Sequence, residues 1–307
     1  MKMIEHKILL TVVTRDRLNC LNKFLDLVSN QTLKPTNILV IDNDSKPDTK
    51  SLVQKYISKD PSILYLNTKR NGGGAGGQSI ALTYAASNGY DLVYTLDDDC
   101  EPDLNALEQV YKKWFSEKDR ENTVLSSTAL SLTSDEFSFA LWKLKRNIFS
   151  NGNSSYSRLN QIPKNEIIND VYYGWSHFFL GVLIPVNLIK KYGSVNPKYF
   201  IRGDELEYFV RLLESGVRLG AVTTSIVRHP QELKGQINDL KLYYTLRNNT
   251  EIRVKYYPSW KYNKLFFKIW LLGFKIIRKT KSITYQAVFD AINGDFSKQP
   301  GDFPKEM

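Results

Sequence analysis

At 307 residues with 42% hydrophobic side chains, the chain can bury a substantial core as one large domain or two modest ones, which excludes a disordered polypeptide. Its two cysteines, Cys20 and Cys100, lack the paired spacing of a zinc site, and so low a count suits a reducing cytoplasm. The formal net charge of +10 is compatible with an anionic partner, whether nucleic acid, phosphorylated substrate or membrane surface, and its distribution decides more than its total. No apolar run reaches the roughly 18 to 20 residues that span a bilayer.

The N-terminal MKMIEHKILLTVVTRDR has a short apolar run broken by charge and no small-residue cleavage site, so it reads as a first strand and not as a signal peptide. Strand-like and helix-like patterns then alternate: ILLTVVT, LNCLNKFLDLVSNQ, TNILVIDND, TKSLVQKYI and SILYLNT. The glycine-rich stretch Asn71 to Gly77 reads as a loop, followed by a helix over SIALTYAASNG and a strand over DLVYTLDDD. This βαβ rhythm predicts an α/β fold with a mostly parallel, Rossmann-like sheet flanked by helices. Ligands of such sheets bind beyond the carboxyl ends of the strands, where Thr14, Arg15, Asp42, Asn43, Asn71 and Asp97 to Asp99 all fall.

Beyond Glu101 the pattern gives a helix over LNALEQVYKKWFSEK, a strand over TVLSSTALSL and a mobile loop over SNGNSSYSRLNQ. A strand pair running into a short helix follows in DVYYGWSHFFLGVLIPVNLIKKYG, then an amphipathic helix in GDELEYFVRLLESG and a strand in LGAVTTSIVRHP. Between Lys255 and Lys281 stand eight basic residues and no acidic ones, interleaved with aromatics. The expected organisation is a catalytic domain over 1–254, divided near residue 103 into nucleotide-binding and acceptor-binding halves. A basic, aromatic, helical extension over 255–307 completes it.

Three adjacent carboxylates at a strand end repel one another unless a cation or strong solvation offsets the charge. In extended backbone Asp97 and Asp99 point the same way and could clamp one Mn2+ or Mg2+, whereas a solvated acidic turn is the plainer reading. The glycines, Gly73 and Gly74 among them, would let backbone amides approach a phosphate, or simply make a flexible turn. Neither the P-loop nor the dinucleotide spacing is present.

Glu207 and Arg211 are spaced for a helical ion pair. Asp204 and Glu205 stand at the expected N-cap and first turn, where one could serve as a general base. His229, one of three histidines, could add a nitrogen ligand to a carboxylate-held metal or be structural. Trp175 could present its ring to a sugar or pack in the core.

Taken in order, TVVTRDR, VIDNDS, RNGGGAGG, TLDDDCEP, FIRGDELEYFVRL, VRHP and YYTLRNNT resemble the inverting glycosyltransferases of family 2, over roughly Lys7 to Tyr257. The pattern is most similar to bacterial galactofuranosyltransferases and rhamnosyltransferases. The resemblance implies a GT-A fold and a nucleotide-diphosphate sugar donor, UDP- or dTDP-linked. It also implies a lipid-linked or polysaccharide acceptor. The basic, aromatic tail itself suits either peripheral contact with the anionic inner face of the plasma membrane, from a cytoplasmic location, or a helix packed on the catalytic domain with a solvated basic face.

Carried over by position, the resemblance gives Thr14, Arg15 and Asp42 to the nucleotide, with Asn71, Gly73, Gly74 and Trp175 around the donor. Asp97, Asp99 and His229 go to the metal, Asp98 lies beside the donor sugar or ribose, and Glu205 is the base with Asp204 as the alternative. A nucleotidyltransferase would need a basic glycine-rich loop after the first strand, and TVVTRDRLN lacks one. A nucleic-acid-binding protein acting through the basic tail is the rival of another class; the acidic cluster argues against a polyanion in the cleft but not at the tail.

Overall fold

The computed structural model describes residues 6–139, 156–174, 179–231, 238–256 and 281–298. The first half is a βα alternation of β1 (Ile8–Thr14), α1 (Leu18–Ser29), β2 (Asn37–Asp42), α2 (Pro47–Ile57), β3 (Ile63–Asn67), α3 (Gly73–Ser87) and β4 (Leu92–Asp97). The second half adds β5 (Glu101–Pro102), α4 (Ala106–Ser116), β6 (Thr123–Ser131), β7 (Ile167–Ile168), β8 (Val171–Tyr172) and β9 (Val182–Pro185). It ends with α5 (Val186–Tyr192), α6 (Asp204–Glu214), β10 (Arg218–His229), α7 (Asp239–Tyr256) and α8 (Lys281–Asn293).

All ten described strands share one sheet, ordered β3-β2-β1-β4-β9-β6-β10-β8-β7, with β5 paired to β10. The long strands β1, β2, β3, β4, β6 and β10 run the same way, and β9 is inserted antiparallel between β4 and β6. The sheet is therefore mostly parallel, as the rhythm predicts. Its period-two pattern buries both faces: Ile8, Leu10 and Val12 point into the core under α1, α2 and α4, while Leu9 packs into the core with α3, α5 and α6.

The expected strand pair around DVYYGW divides instead. β8 hydrogen-bonds to β10 and β7, whereas β9 goes to the sheet's centre, because Val182 to Pro185 are apolar enough for burial on both faces. Of the loop expected over Ser150 to Gln161, residues 150–155 lie outside the described ones. Its remainder is fastened by Gln161 Oε1, which accepts from the Ser157 and Arg158 backbone at 2.7 and 3.1 Å.

A second correction concerns the glycines. The stretch is not a loop before a helix; Gly73 to Gly77 are the first turns of α3. Glycine is a poor helix former, so packing must account for it. A Cβ at Gly77 would lie 2.3 Å from Val13 Cγ1 on β1, and one at Gly73 would lie 2.2 Å from the Phe200 carbonyl oxygen. The helix can sit this close to the sheet and to the segment before α6 only without side chains there.

The strand order reverses between β1 and β4, since β2 and β3 lie on one side of β1 and β4 on the other. A crevice opens at such a switch point, outside the carboxyl ends of the strands. α7 runs two residues past the expected boundary at 254, and α8 packs on it through Tyr243, Tyr244 and Ala287. Most of the basic tail, 257–280, lies outside the described residues.

Candidate active site

β1 ends at Thr14 and β4 at Asp97, adjacent in register as Val13 beside Asp97. After Asp97 the chain turns, with the Cys100 amide donating to the Asp97 carbonyl at 3.1 Å, and β5 pairs with β10 at Glu101 and Arg228. That pairing carries His229 back to the acidic turn. His229 Nε2 lies 3.3 Å from Asp99 Oδ1, and ligand atoms of Asp97, Asp99 and His229 all fall within 4.8 Å of one another.

The triplet divides its work by side-chain direction. Asp98 is buried and accepts from the Thr14 hydroxyl and from Arg17 Nη1, both at 2.7 Å, while Arg17 Nη2 reaches Asp99 Oδ2 at 2.7 Å. Burial raises Asp98 to about 6 despite Arg17 and Thr14. Burial and the Asp99 charge raise Asp97 to about 7. Burial would raise Asp99 too, but His229 and Arg17 outweigh it and hold that carboxylate far below its ordinary range.

A half-buried carboxylate near neutrality beside an ionised one is a site short of positive charge. Two hard oxygen donors and an imidazole nitrogen fit a divalent ion such as Mn2+. The geometry is thus compatible with the expected metal group.

Across the cavity, α6 begins at Asp204. The expected N-cap position belongs to Gly203, at φ 81°, and Asp204 is the first helical residue. A left-handed turn is needed there, and glycine supplies it without strain. Asp204 is buried, and burial together with a hydrogen bond to the neighbouring Glu205 carboxylate holds it well above the ordinary range. Glu207 makes the anticipated pair with Arg211 at 3.0 Å, and also accepts from Lys255 at 3.1 Å and from the Tyr256 hydroxyl. It is a tie between α6 and α7 and faces away from the cavity.

One cavity of about 550 Å³ gathers Thr14, Arg15, Asn71, Gly73, Gly74, Asp97, Asp98, Asp99, Asp204, Glu205 and His229. Asp42 is not among its lining residues: buried at the end of β2, it accepts from the Ser45 amide at 2.8 Å, from Asn67 and from the Tyr65 hydroxyl. Trp175 lies outside the described residues. Two amides at the start of α3 are already engaged, Gly73 by Asn71 Oδ1 at 3.0 Å and Ala75 by the Phe200 carbonyl at 3.0 Å. Close packing accounts for Gly73 and Gly77, while Gly73 and Gly74 line the cavity.

Sequence reasoning missed Arg17 and Gln78, which also line the cavity, and placed Asn43 at the crevice without giving it a role. Arg17 stands three residues past the end of β1, and its place in TVVTRDR was the available signal. Asn43 binds the Gly73 carbonyl at 2.7 Å, a contact between β2 and α3 that no local pattern announces.

A family model described as "Glycosyl transferase family 2" matches residues 10–170. Galactofuranosyltransferase GlfT1 of Mycolicibacterium smegmatis is 28% identical over 220 residues, covering 71% of this chain and 69% of that protein. Among solved structures, GalNAc-T7 with UDP, GalNAc and Mn2+ superposes with a TM-score of 0.65 at 16% identity, over 85% of this chain and 50% of that one. The mannosyltransferase PcManGT from Pyrobaculum calidifontis, in complex with GDP-Man and Mn2+, gives 0.56 at 13% identity, over 84% and 66% respectively. This chain thus spans half of the first structure and just under two thirds of the second. The shared architecture is the GT-A fold.

Proposed function

Because the chain belongs to glycosyl transferase family 2, we propose that it transfers galactofuranose from UDP-galactofuranose, with inversion, to a hydroxyl of a lipid-linked or polysaccharide acceptor of the bacterial cell surface. The observation that carries this reading is that the Asp97, Asp99, His229 group and the Asp204–Glu205 pair line one cavity at the switch point of the sheet. The sugar follows the galactofuranosyltransferase relatives; rhamnose from dTDP-rhamnose is the alternative that the motif pattern supports. No observation favours the nucleic-acid reading, and five carboxylates line the cavity.

Asp97, Asp99 and His229 are the residues that would hold Mn2+ or Mg2+, which when bound neutralises charge developing on the departing diphosphate. Arg15 and Asn71, which line the cavity, would meet the donor, and Asp98, held by Thr14 and Arg17, would face its sugar or ribose. Asp204, whose carboxyl is held well above its ordinary range by burial and by the neighbouring Glu205, hydrogen-bonds to that residue. Glu205 takes the proton from the acceptor hydroxyl, whose oxygen bonds to the anomeric carbon as the bond to the diphosphate breaks. Attack opposite the leaving group inverts the configuration.

Melting curves with a series of nucleotide sugars and Mn2+ or Mg2+ test the reading. A ligand at about 100 times its Kd stabilises the native state by about 2.7 kcal/mol, and the response should be to UDP-galactofuranose. Asp99→Ala should abolish both the shift and transfer, whereas Glu205→Gln should keep the shift and lose transfer. Turnover by Glu205→Gln at the normal rate would move the base to Asp204 or elsewhere.

A further inference from the structure

The segment that aims Asp204 and Glu205 is built from unfavourable backbone. Phe200 and Arg202 both have positive φ, 63° and 67°, and Gly203 follows at 81°. Bulky residues hold such conformations only where their surroundings over-determine them. Two side chains of α7 do so here.

Asn248, fully buried, directs its amide nitrogen at three carbonyls of this segment: Tyr199 at 3.0 Å, Ile201 at 3.1 Å and Arg202 at 2.5 Å. Its orientation is fixed from behind, because Arg247 Nε donates to Asn248 Oδ1 at 2.9 Å. Arg247, also fully buried, donates from Nη2 to the Lys198 and Tyr199 carbonyls at 3.0 and 3.2 Å. Its guanidinium lies 4.7 Å from the ring centres of Tyr244 and Phe296 and 5.5 Å from that of Tyr243. On the other side, the Ala75 amide of α3 holds the Phe200 carbonyl at 3.0 Å. The turn before α6 is therefore gripped between the helix beside the donor pocket and α7.

We propose that Arg247 and Asn248 are positioning residues that set the direction of the Asp204–Glu205 pair toward the acceptor, by clamping the strained turn at Phe200–Gly203. Neither side chain lines the cavity, so neither touches substrate. The proposal rests on the reading of that pair as the site of proton removal. The chemistry is demanding: the turn presents carbonyls only, so the clamp must be all donor, and Arg247 ensures that the Asn248 amide offers its NH2 and not its oxygen.

Asn248→Asp is the sharpest test, since it keeps shape and volume while turning the donor into an acceptor facing three carbonyls. On the full chain, hydrogen exchange over residues 199–207 should accelerate, while exchange over β1 and β4 stays unchanged. The kcat for transfer should fall on the order of 100-fold, as expected for a reacting group displaced by about an ångström. The Kd for UDP-sugar with Mn2+ should stay within about 3-fold, a split that general loss of structure would not give.

Arg247→Lys keeps the charge but loses the fork, and should show the same pattern more weakly. It carries the test if Asn248→Asp does not fold. Unchanged exchange over 199–207, or faster exchange with normal kcat, overturns the proposal, as does donor affinity falling in step with kcat. If the unmodified enzyme transfers from no donor, the functional reading fails, while the exchange data still decide whether the clamp sets the turn.

Discussion

Asp97 ends β4 among groups that oppose its ionisation: burial first, then the Asp99 charge, with His229 only partly offsetting them, and its pKa rises to about 7. A carboxyl whose folded pKa lies above its unfolded one contributes stability that is present below about 4 and lost as pH rises through about 7. The ion-free protein therefore keeps Asp97 at a stability cost above neutrality. Asp97→Asn should raise its melting temperature at pH 8 by a few degrees, on the order of 1–2 kcal/mol for a chain of this size. At pH 4 the two proteins should melt alike. The same variant should lose the extra stabilisation given by Mn2+ and donor. A lower melting temperature for Asp97→Asn at pH 8 would refute the account. Residue type made this site legible: adjacent carboxylates at a strand end, a histidine after a strand and acidic residues at a helix start each carry a chemical signature. Arg247 and Asn248 were legible only as part of the motif YYTLRNNT and without a role, because a basic and a polar residue in a helix ordinarily face water, and only the fold shows them buried against the Tyr199 to Arg202 carbonyls.

Among the elements, the long strands were readable because burial on both faces leaves continuous apolar runs, and α6 because its apolar positions recur at helical spacing. The start of α3 was not, since five residues of Gly-Gly-Ala-Gly-Gly predict a turn on propensity, and packing overrides propensity. That override can be measured. A Cβ at Gly77 would meet Val13 Cγ1 at 2.3 Å and Cγ2 at 2.9 Å, while one at Gly76 would meet nothing within 4 Å. Gly77→Ala should cost about 1–3 kcal/mol by overpacking α3 against β1. Gly76→Ala should be neutral or stabilising by up to about 1 kcal/mol, the helix-propensity gain. Trimming Val13 to Ala in the Gly77→Ala background should recover part of the loss, and urea midpoints for the four proteins give the coupling. Equal effects at the two glycines would mean that flexibility, not clearance, selects glycine here. The two-residue strands β7 and β8 fell below any periodic signal, and nothing local tells β9 to insert between β4 and β6.

For the whole molecule, the alternation of elements was enough to predict a parallel sheet and, through the carboxyl-end rule, a single crevice. It could not supply distances, because the approach of His229 to Asp99 depends on β5 pairing with β10. The net charge of +10 is the property the catalytic cleft leaves unexplained, and eight basic residues without an acidic one lie between Lys255 and Lys281. Directly after them, α8 buries Ala287 against α7, also buries Ala291, and exposes Tyr285, Phe289 and Ile292, by 49, 64 and 55%. Spacings of four and three residues put these on one face. Basic charge next to an apolar face is the combination that suits an anionic lipid surface, where each Lys or Arg contributes about 1 kcal/mol. A lipid-linked acceptor would be met there. In flotation experiments the protein should rise with vesicles containing phosphatidylglycerol and stay behind with phosphatidylcholine alone, and about 0.5 M salt should weaken the binding by screening. Phe289→Ser with Ile292→Ser should reduce flotation while leaving melting temperature and donor binding unchanged, because both side chains face solvent. Absence of flotation with either lipid would leave the basic segment to another role and count against an acceptor met at the membrane.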